Sequence, residues 1–315
     1  MRDFTQLRIV FMGTPEFAVA SLDALVKAGC NIVGVVTAPD RPAGRGMLLQ
    51  QSDVKKYAVA HQLHVLQPEK LRNPEFLEEL RALKADIQVV VAFRMLPEMV
   101  WNMPPMGTLN VHGSLLPQYR GAAPINWAVI NGERQTGVTT FKLQQEIDTG
   151  DILLQQTMPI GEEENAGEVH DRMKELGAAL LLKTIQGLAE NSILGKPQQL
   201  PANDEGKTDF KHAPKIFTDT CKIDFSKTVE EVHDLVRGLA PYPAAFTFLN
   251  GKKLKIFKSE KTNEAITEPA GTVKSDGKTY LQFCCSNGWV SVLDLQLEGK
   301  KRMLVTDFLR GYRFE

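Results

Sequence analysis

Short apolar runs alternate with helical periods through the first third of the chain, and no other feature restricts its fold so tightly. Residues 7–12 read as a buried strand. Gly13-Thr14-Pro15 then turns into a helix, with Thr14 the expected N-cap and Pro15 the first helical residue. Phe17, Ala18, Leu22, Leu25 and Val26 recur along one side of that helix, which stops near Gly29. A strand over 31–37, a helix over 52–61, a short strand at 64–66 and a helix near 74–84 follow. Residues 87–92, Ile-Gln-Val-Val-Val-Ala, are too apolar for a sheet with one wet face. Repeats of this kind build an α/β, Rossmann-like, mostly parallel sheet with helices on both faces. Ligands of such sheets bind beyond the carboxyl ends of the strands.

Two more strands, at 138–143 and 152–158, and a long helix over 165–190 complete this part. Composition then shifts. Residues 195–215 are polar and contain Pro197, Pro201 and Pro214, as a linker would. Beyond them, residues 228–239 place Val229, Val232, Leu235, Val236 and Leu239 on one helical face. The remainder is short strands with hairpin dipeptides at Asn250-Gly251 and Asn287-Gly288. The expected organisation is a domain over 1–194, a linker over 195–215 and a small C-terminal β-barrel, OB-like, over 216–315.

A chain of 315 residues is long enough for two such domains. With 43% hydrophobic and 24% charged residues it reads as soluble and globular. No apolar run approaches the roughly 18 residues a bilayer span needs, and the polar start lacks a signal-peptide layout. Cys30, Cys221, Cys284 and Cys285 have no metal-ligand spacing, which suits reduced thiols in a cytoplasmic protein. Gly13-Thr14-Pro15 lacks the glycine spacing of a dinucleotide fingerprint, which argues against a nicotinamide oxidoreductase. The net charge of −1 does not by itself announce a nucleic-acid partner.

The chemistry concentrates in Asn110-Val111-His112-Gly113-Ser114-Leu115-Leu116-Pro117, with Asp148 downstream in Ile147-Asp148-Thr149-Gly150-Asp151. In a strand, residues two apart point to the same face, so an amide and an imidazole converge. A carboxylate is available to orient the imidazole. That set suits acyl chemistry at a carbonyl: an amide N–H holds a developing oxyanion and a histidine handles a proton or stabilises charge. No Ser or Cys nucleophile is needed if the attacking group is a neutral amine.

Asn-x-His-x-Ser-Leu-Leu-Pro with a downstream Asp-x-Gly resembles the folate-dependent formyltransferases. Residues 11–18 (FMGTPEFA), 39–46 (PDRPAGRG), 119–125 (YRGAAPI) and 240–243 (APYP) are similar to the bacterial members that act on methionyl-tRNA. The resemblance covers nearly the full length. It implies direct transfer of the formyl group from 10-formyltetrahydrofolate to the α-amine of methionine on initiator tRNA. That reaction is a step of translation initiation, fed by one-carbon metabolism. The resemblance implies no metal. Asn110 would stabilise the tetrahedral oxyanion, and His112, oriented by Asp148, would assist charge and proton movement. Folate contacts would come from Ser114, Leu115, Leu116 and Pro117 and from the loop of Phe93, Arg94, Met95 and Leu96. In that loop this chain is one residue shorter than the usual family pattern.

The resemblance also implies that the 39–46 loop enters the tRNA acceptor stem. Arg41 and Arg45 are its cations, and Met47, Leu48 and Leu49 follow where some relatives carry lysines. Lys211 and Lys215 near the linker, and Lys253 in the barrel, are further candidates for phosphate contact. The expectation is a cytoplasmic monomer with initiator methionyl-tRNA and folate as partners and no membrane. The alternative is a formyltransferase for a small amine such as an amino-sugar nucleotide, which would generally lack the 39–46 pattern.

Overall fold

The computed structural model describes residues 3–43, 48–200, 210–262 and 264–314. The chain divides into two compact units that interleave along the sequence. The first comprises Met1–Gly121, Gly137–Met158 and His170–Lys211; the second comprises Ala122–Thr136, Pro159–Val169 and His212–Glu315.

The first unit is built on seven strands: β1 (Arg8–Gly13), β2 (Asn31–Val36), β3 (Val65–Leu66), β4 (Ile87–Val91), β5 (Thr108–His112), β6 (Gln135–Lys142) and β7 (Ile152–Pro159). Their order is β7-β6-β5-β4-β1-β2-β3. The pairs β2–β3, β1–β2, β1–β4 and β4–β5 are parallel, and β5–β6 is antiparallel. The sheet is thus mostly parallel, as expected from its apolar runs.

Both faces of the sheet are covered. Val10, Met12, Val36, Leu66 and Val90 pack with Phe76 and Leu80 of the helix Pro74–Ala82. On the other face, the helix Glu16–Lys27 lies so close to β1 that a Cβ on Gly13 would stand 2.7 Å from the Ala18 Cβ. That helix is capped by Pro15 without a side-chain hydrogen bond, and Thr14 is not its cap as expected from sequence. The Thr14 carbonyl instead accepts from the Val54 N–H (3.4 Å). Ser52 and Asn73, by contrast, do cap their helices through side-chain oxygens.

The second unit holds an antiparallel sheet of β8 (Ala245–Leu249), β9 (Lys252–Thr262), β10 (Val273–Ser275), β11 (Leu281–Cys284), β12 (Trp289–Leu297) and β13 (Met303–Leu304). Its order is β8-β9-β12-β11-β10, with β13 on β12. Asn250 and Gly251 both take positive φ (47° and 74°), which the tight β8–β9 turn requires. Register breaks at Ile256/Lys258 and Lys258/Ser259 bend β9. The sheet curls around Leu254, Ile256, Phe283, Val290, Val292 and Leu295, the small barrel-like domain expected from the hairpins. The helix Val229–Leu239 packs into this core, and Thr228 with Glu231 forms its capping box.

Candidate active site

Strand β5 decides which side chains meet. Val111 faces the long helix Ala166–Ala189: a Cβ on Gly177 would stand 3.2 Å from Val111 Cγ1. Asn110 and His112 therefore share the opposite face. His112 is the last residue of the strand and pairs in register with Thr139, as Asn110 does with Phe141. Because Val91 pairs with Val111, and Gly13 with Val91, the segments after β1, β4 and β5 leave the sheet at one edge. This is the carboxyl edge where ligands of parallel sheets bind.

His112 is 7% exposed, and its ring nitrogens face two different partners. Nε2 donates to the Tyr119 carbonyl (2.9 Å), and Nδ1 lies 3.7 Å from Asp148 Oδ2. Asp148, 9% exposed, is in turn held by the Gly121 N–H, which donates to Oδ2 (2.9 Å). Asp148 sits at φ 55°, a conformation that aspartate tolerates better than most residues. The turn it occupies presses onto β6: a Cβ on Gly150 would come within 1.6 Å of the Lys142 carbonyl oxygen, so only glycine fits. Burial pulls the Arg120 guanidinium below its ordinary range, and the negative charges of Asp148 and Glu146 oppose that pull.

Asn110 stands apart from this network. It is half-buried, and its amide makes no hydrogen bond within the described residues. An unspent donor next to a fixed imidazole can bind an oxygen that becomes negative during a reaction.

The segment after His112 is braced from below by β6 and β7. Thr139 Oγ1 donates to the Ser114 carbonyl (2.7 Å) and accepts from the Leu116 N–H (3.1 Å). Gln155 Nε2 donates to the Leu116 carbonyl and to Thr139 Oγ1, each at 2.9 Å. Ser114 is fully buried and donates to the Gln118 carbonyl (2.6 Å), and Leu116 is buried beside it. Leu115 and Pro117 are the half-buried members of this stretch.

In the loop after β4, Phe93 and Arg94 are half-buried, Leu96 is buried and Met95 is 72% exposed. The Arg94 guanidinium donates to the carbonyls of Glu69 (2.8 Å) and Pro68 and lies over the Phe93 ring (5.5 Å). Arg94 thus ties its own loop to the 68–69 segment, an anchoring role its sequence position did not suggest.

The candidate tRNA-contacting residues are spread over the molecule. Arg41 is exposed on a short strand, Arg41–Ala43, paired with Leu48–Gln50. Arg45 lies outside the described residues. In the first unit, the exposed Lys211 has its backbone held by Gln118 Oε1 and the Tyr119 N–H. In the second, Lys215 lies over the exposed Phe217 ring (5.6 Å) and Lys253 over the Phe246 ring (4.2 Å). Lys253 also pairs in register with the exposed Phe248, giving β8 and β9 an aromatic and basic surface.

Among the described residues, Glu16, His170 and Asp171 bring three ligand-type atoms within 4.8 Å. Lys174 already places its ammonium 2.6 Å from Glu16 and 3.6 Å from Asp171, so a cation occupies that cluster. No helix among them is long and apolar enough to cross a membrane.

Several residues that shape this site carried no assigned role in the sequence. Tyr119 and Gly121 lie in the quoted 119–125 segment and act through backbone atoms. Thr139 and Gln155 are ordinary strand residues until the register places them under the 114–116 segment.

Known proteins bear on this geometry. Residues 7–185 match the family described as Formyl transferase, and residues 215–313 match Formyl transferase, C-terminal domain. The chain is 51% identical over 311 residues to the methionyl-tRNA formyltransferase of Bacteroides fragilis, covering 97% of this chain and 95% of the relative. It is 54% identical over 315 residues to that of Parabacteroides distasonis, covering 98% and 96%. Among solved structures, an N-formyltransferase from Helicobacter canadensis with folinic acid and dTDP-3-aminofucose has the same fold. Its TM-score is 0.68 at 24% identity, over 91% of this chain and 99% of that one. HypX from Aquifex aeolicus with tetrahydrofolic acid gives a TM-score of 0.64 at 18% identity, over 96% of this chain and 47% of that one.

Proposed function

The chain belongs to the methionyl-tRNA formyltransferases, and from that premise we propose how it works: formyl transfer from 10-formyltetrahydrofolate to the methionine of initiator tRNA, assisted by Asn110, His112 and Asp148. The methionyl α-amine attacks the formyl carbon. The carbonyl oxygen takes up the negative charge, and the free Asn110 amide donates to it. Collapse breaks the bond to N10 of the folate, whose nitrogen gains a proton as the amine loses one. His112, oriented by the Tyr119 carbonyl and Asp148, assists that charge and proton movement.

The carrying observation is the unspent Asn110 amide on the same strand face as an imidazole that bonds the Tyr119 carbonyl and faces the Asp148 carboxylate. The donor reading also draws on two structural neighbours whose described ligands are folinic acid and tetrahydrofolic acid. The folate would lie against the half-buried Leu115 and Pro117 and the 93–96 loop at the same strand edge. The tRNA would meet Arg41, Arg45, Lys211, Lys215 and Lys253. A cytoplasmic monomer without a metal completes the reading. An amino-sugar acceptor is not favoured, since the relatives near 50% identity are the tRNA enzymes.

The test is formylation of methionyl initiator tRNA beside methionyl elongator tRNA, with wild type and Asn110→Ala. Initiator alone should be formylated, and Asn110→Ala should lower kcat by about 10²–10³-fold. An unchanged kcat in the variant would remove the oxyanion role. Formylation of neither tRNA would overturn the substrate.

A further inference from the structure

Residues 195–215 have the composition of a linker, yet the beginning of that stretch is held in place. Lys196 and Ile152 exchange two backbone hydrogen bonds (2.8 and 2.9 Å) in an isolated bridge. Gln198, two residues on, is half-buried between exposed Pro197 and Gln199. Its carboxamide is used at both ends. Nε2 donates to the main-chain carbonyls of Asp148 (2.8 Å) and Gly150 (2.9 Å). Oε1 accepts from Arg120 Nε (3.1 Å) and Nη2 (2.6 Å). The Arg120 guanidinium is itself backed by the Phe210 ring (5.2 Å).

These contacts close a ring. His112 bonds the Tyr119 carbonyl, Arg120 follows Tyr119, Arg120 holds Gln198, Gln198 holds the Asp148 turn, and Asp148 returns to His112. Gln198 thus supplies two further hydrogen bonds to this positive-φ turn, which the Gly121 N–H and the packing on β6 also hold.

We propose that Gln198 is a positioning residue for formyl transfer, clamping the 148–150 turn so that the Asp148 carboxylate stays aimed at His112. The inference rests on the catalytic reading of His112 and Asp148 above. It separates the two halves of one side chain. The N–H donors hold the turn, and the carbonyl oxygen only anchors them to Arg120. Glutamate at 198 would keep the Arg120 contact but turn an anion toward two carbonyl oxygens. Methionine would keep the volume and lose every polar contact.

The experiment measures kcat and KM for methionyl-tRNA and 10-formyltetrahydrofolate in wild type, Gln198→Ala, Gln198→Glu, Gln198→Met, Asp148→Ala and the Gln198→Ala/Asp148→Ala double variant. Gln198→Ala, →Glu and →Met should each lose about 10–100-fold in kcat, the scale expected for a displaced catalytic group, with both KM values little changed. The double variant should be no slower than Asp148→Ala alone, since Gln198 acts through that carboxylate. Wild-type kcat in Gln198→Ala, recovery in the Glu or Met variant, or multiplicative losses in the double variant would each overturn the clamp. If Asp148→Ala itself turns over normally, the catalytic reading falls and takes the clamp with it. If Asp148→Ala is slow and Gln198→Ala is not, the clamp alone falls.

Discussion

Each unit buries a histidine beside a carboxylate, and the two settings differ in one decisive respect. Around His112 the carboxylate is buried too, pinned by the Gly121 N–H, while the second ring nitrogen meets the Tyr119 carbonyl. Around His233 (2% exposed), Nδ1 meets the Ser259 hydroxyl (3.1 Å), and Nε2, like Nδ1 of His112, faces a carboxylate without a hydrogen bond among the described residues. Its nearest carboxylate, Glu163 at 3.5 Å, is on a solvent-exposed side chain. Burial pushes the His233 pKa down, and the positive charges of Lys261 and Arg237 add to that, while Glu163 and Asp234 oppose it. On the proposed reading, only the histidine whose acid is itself buried and held takes part in catalysis.

The largest test of that contrast is a matched pair of substitutions. His112→Asn should lower kcat for methionyl-tRNA formylation by about 10²–10⁴-fold, the usual weight of a proton-handling group, while His233→Asn leaves kcat unchanged. Equal losses in the two variants would dissolve the distinction. A smaller effect probes the helix that carries His233. Removing the Thr228 side chain breaks the capping box, so Thr228→Ala should destabilise the protein to urea by about 1 kcal/mol without changing kcat.

The smallest effect concerns acid. Because the folded-state pKa of His233 is depressed, the unfolded chain takes up that proton first as pH falls below about 6.5. Stability from this group is complete above that pH and is lost as pH drops toward the lower folded value. The Tm of wild type should accordingly fall more steeply between pH 7.5 and 5.5, a window chosen about that value, than the Tm of His233→Gln. Parallel slopes would assign the acid loss to other groups.

Much of this was legible in the chain itself. The apolar run at 87–92 became β4 (Ile87–Val91), and the 228–239 face became the buried side of Val229–Leu239. Asn250-Gly251 made its hairpin because few residues other than these accept positive φ in sequence. The convergence of Asn110 and His112 followed from strand geometry alone. Thr14 misled because Pro15 takes the capping position itself and brings no side-chain acceptor. The anchoring of Arg94 was not legible, because its partners are the carbonyls of residues 68 and 69, which no residue type announces.

Periodicity, turn dipeptides and the shared face of residues two apart are local properties, set by side-chain type and backbone geometry over a few positions, and the sequence by itself determined them. The setting of His112 is of another kind. The Tyr119 carbonyl, the Gly121 N–H and the carbonyls of Asp148 and Gly150 are groups that nearly every residue possesses. Gly121 lies 27 residues from Asp148, and Gln198 lies 50 from it. Only the folding of β5, β6 and the segment after the long helix against one another selects these groups, so tertiary structure alone decided what holds the imidazole and its acid in place.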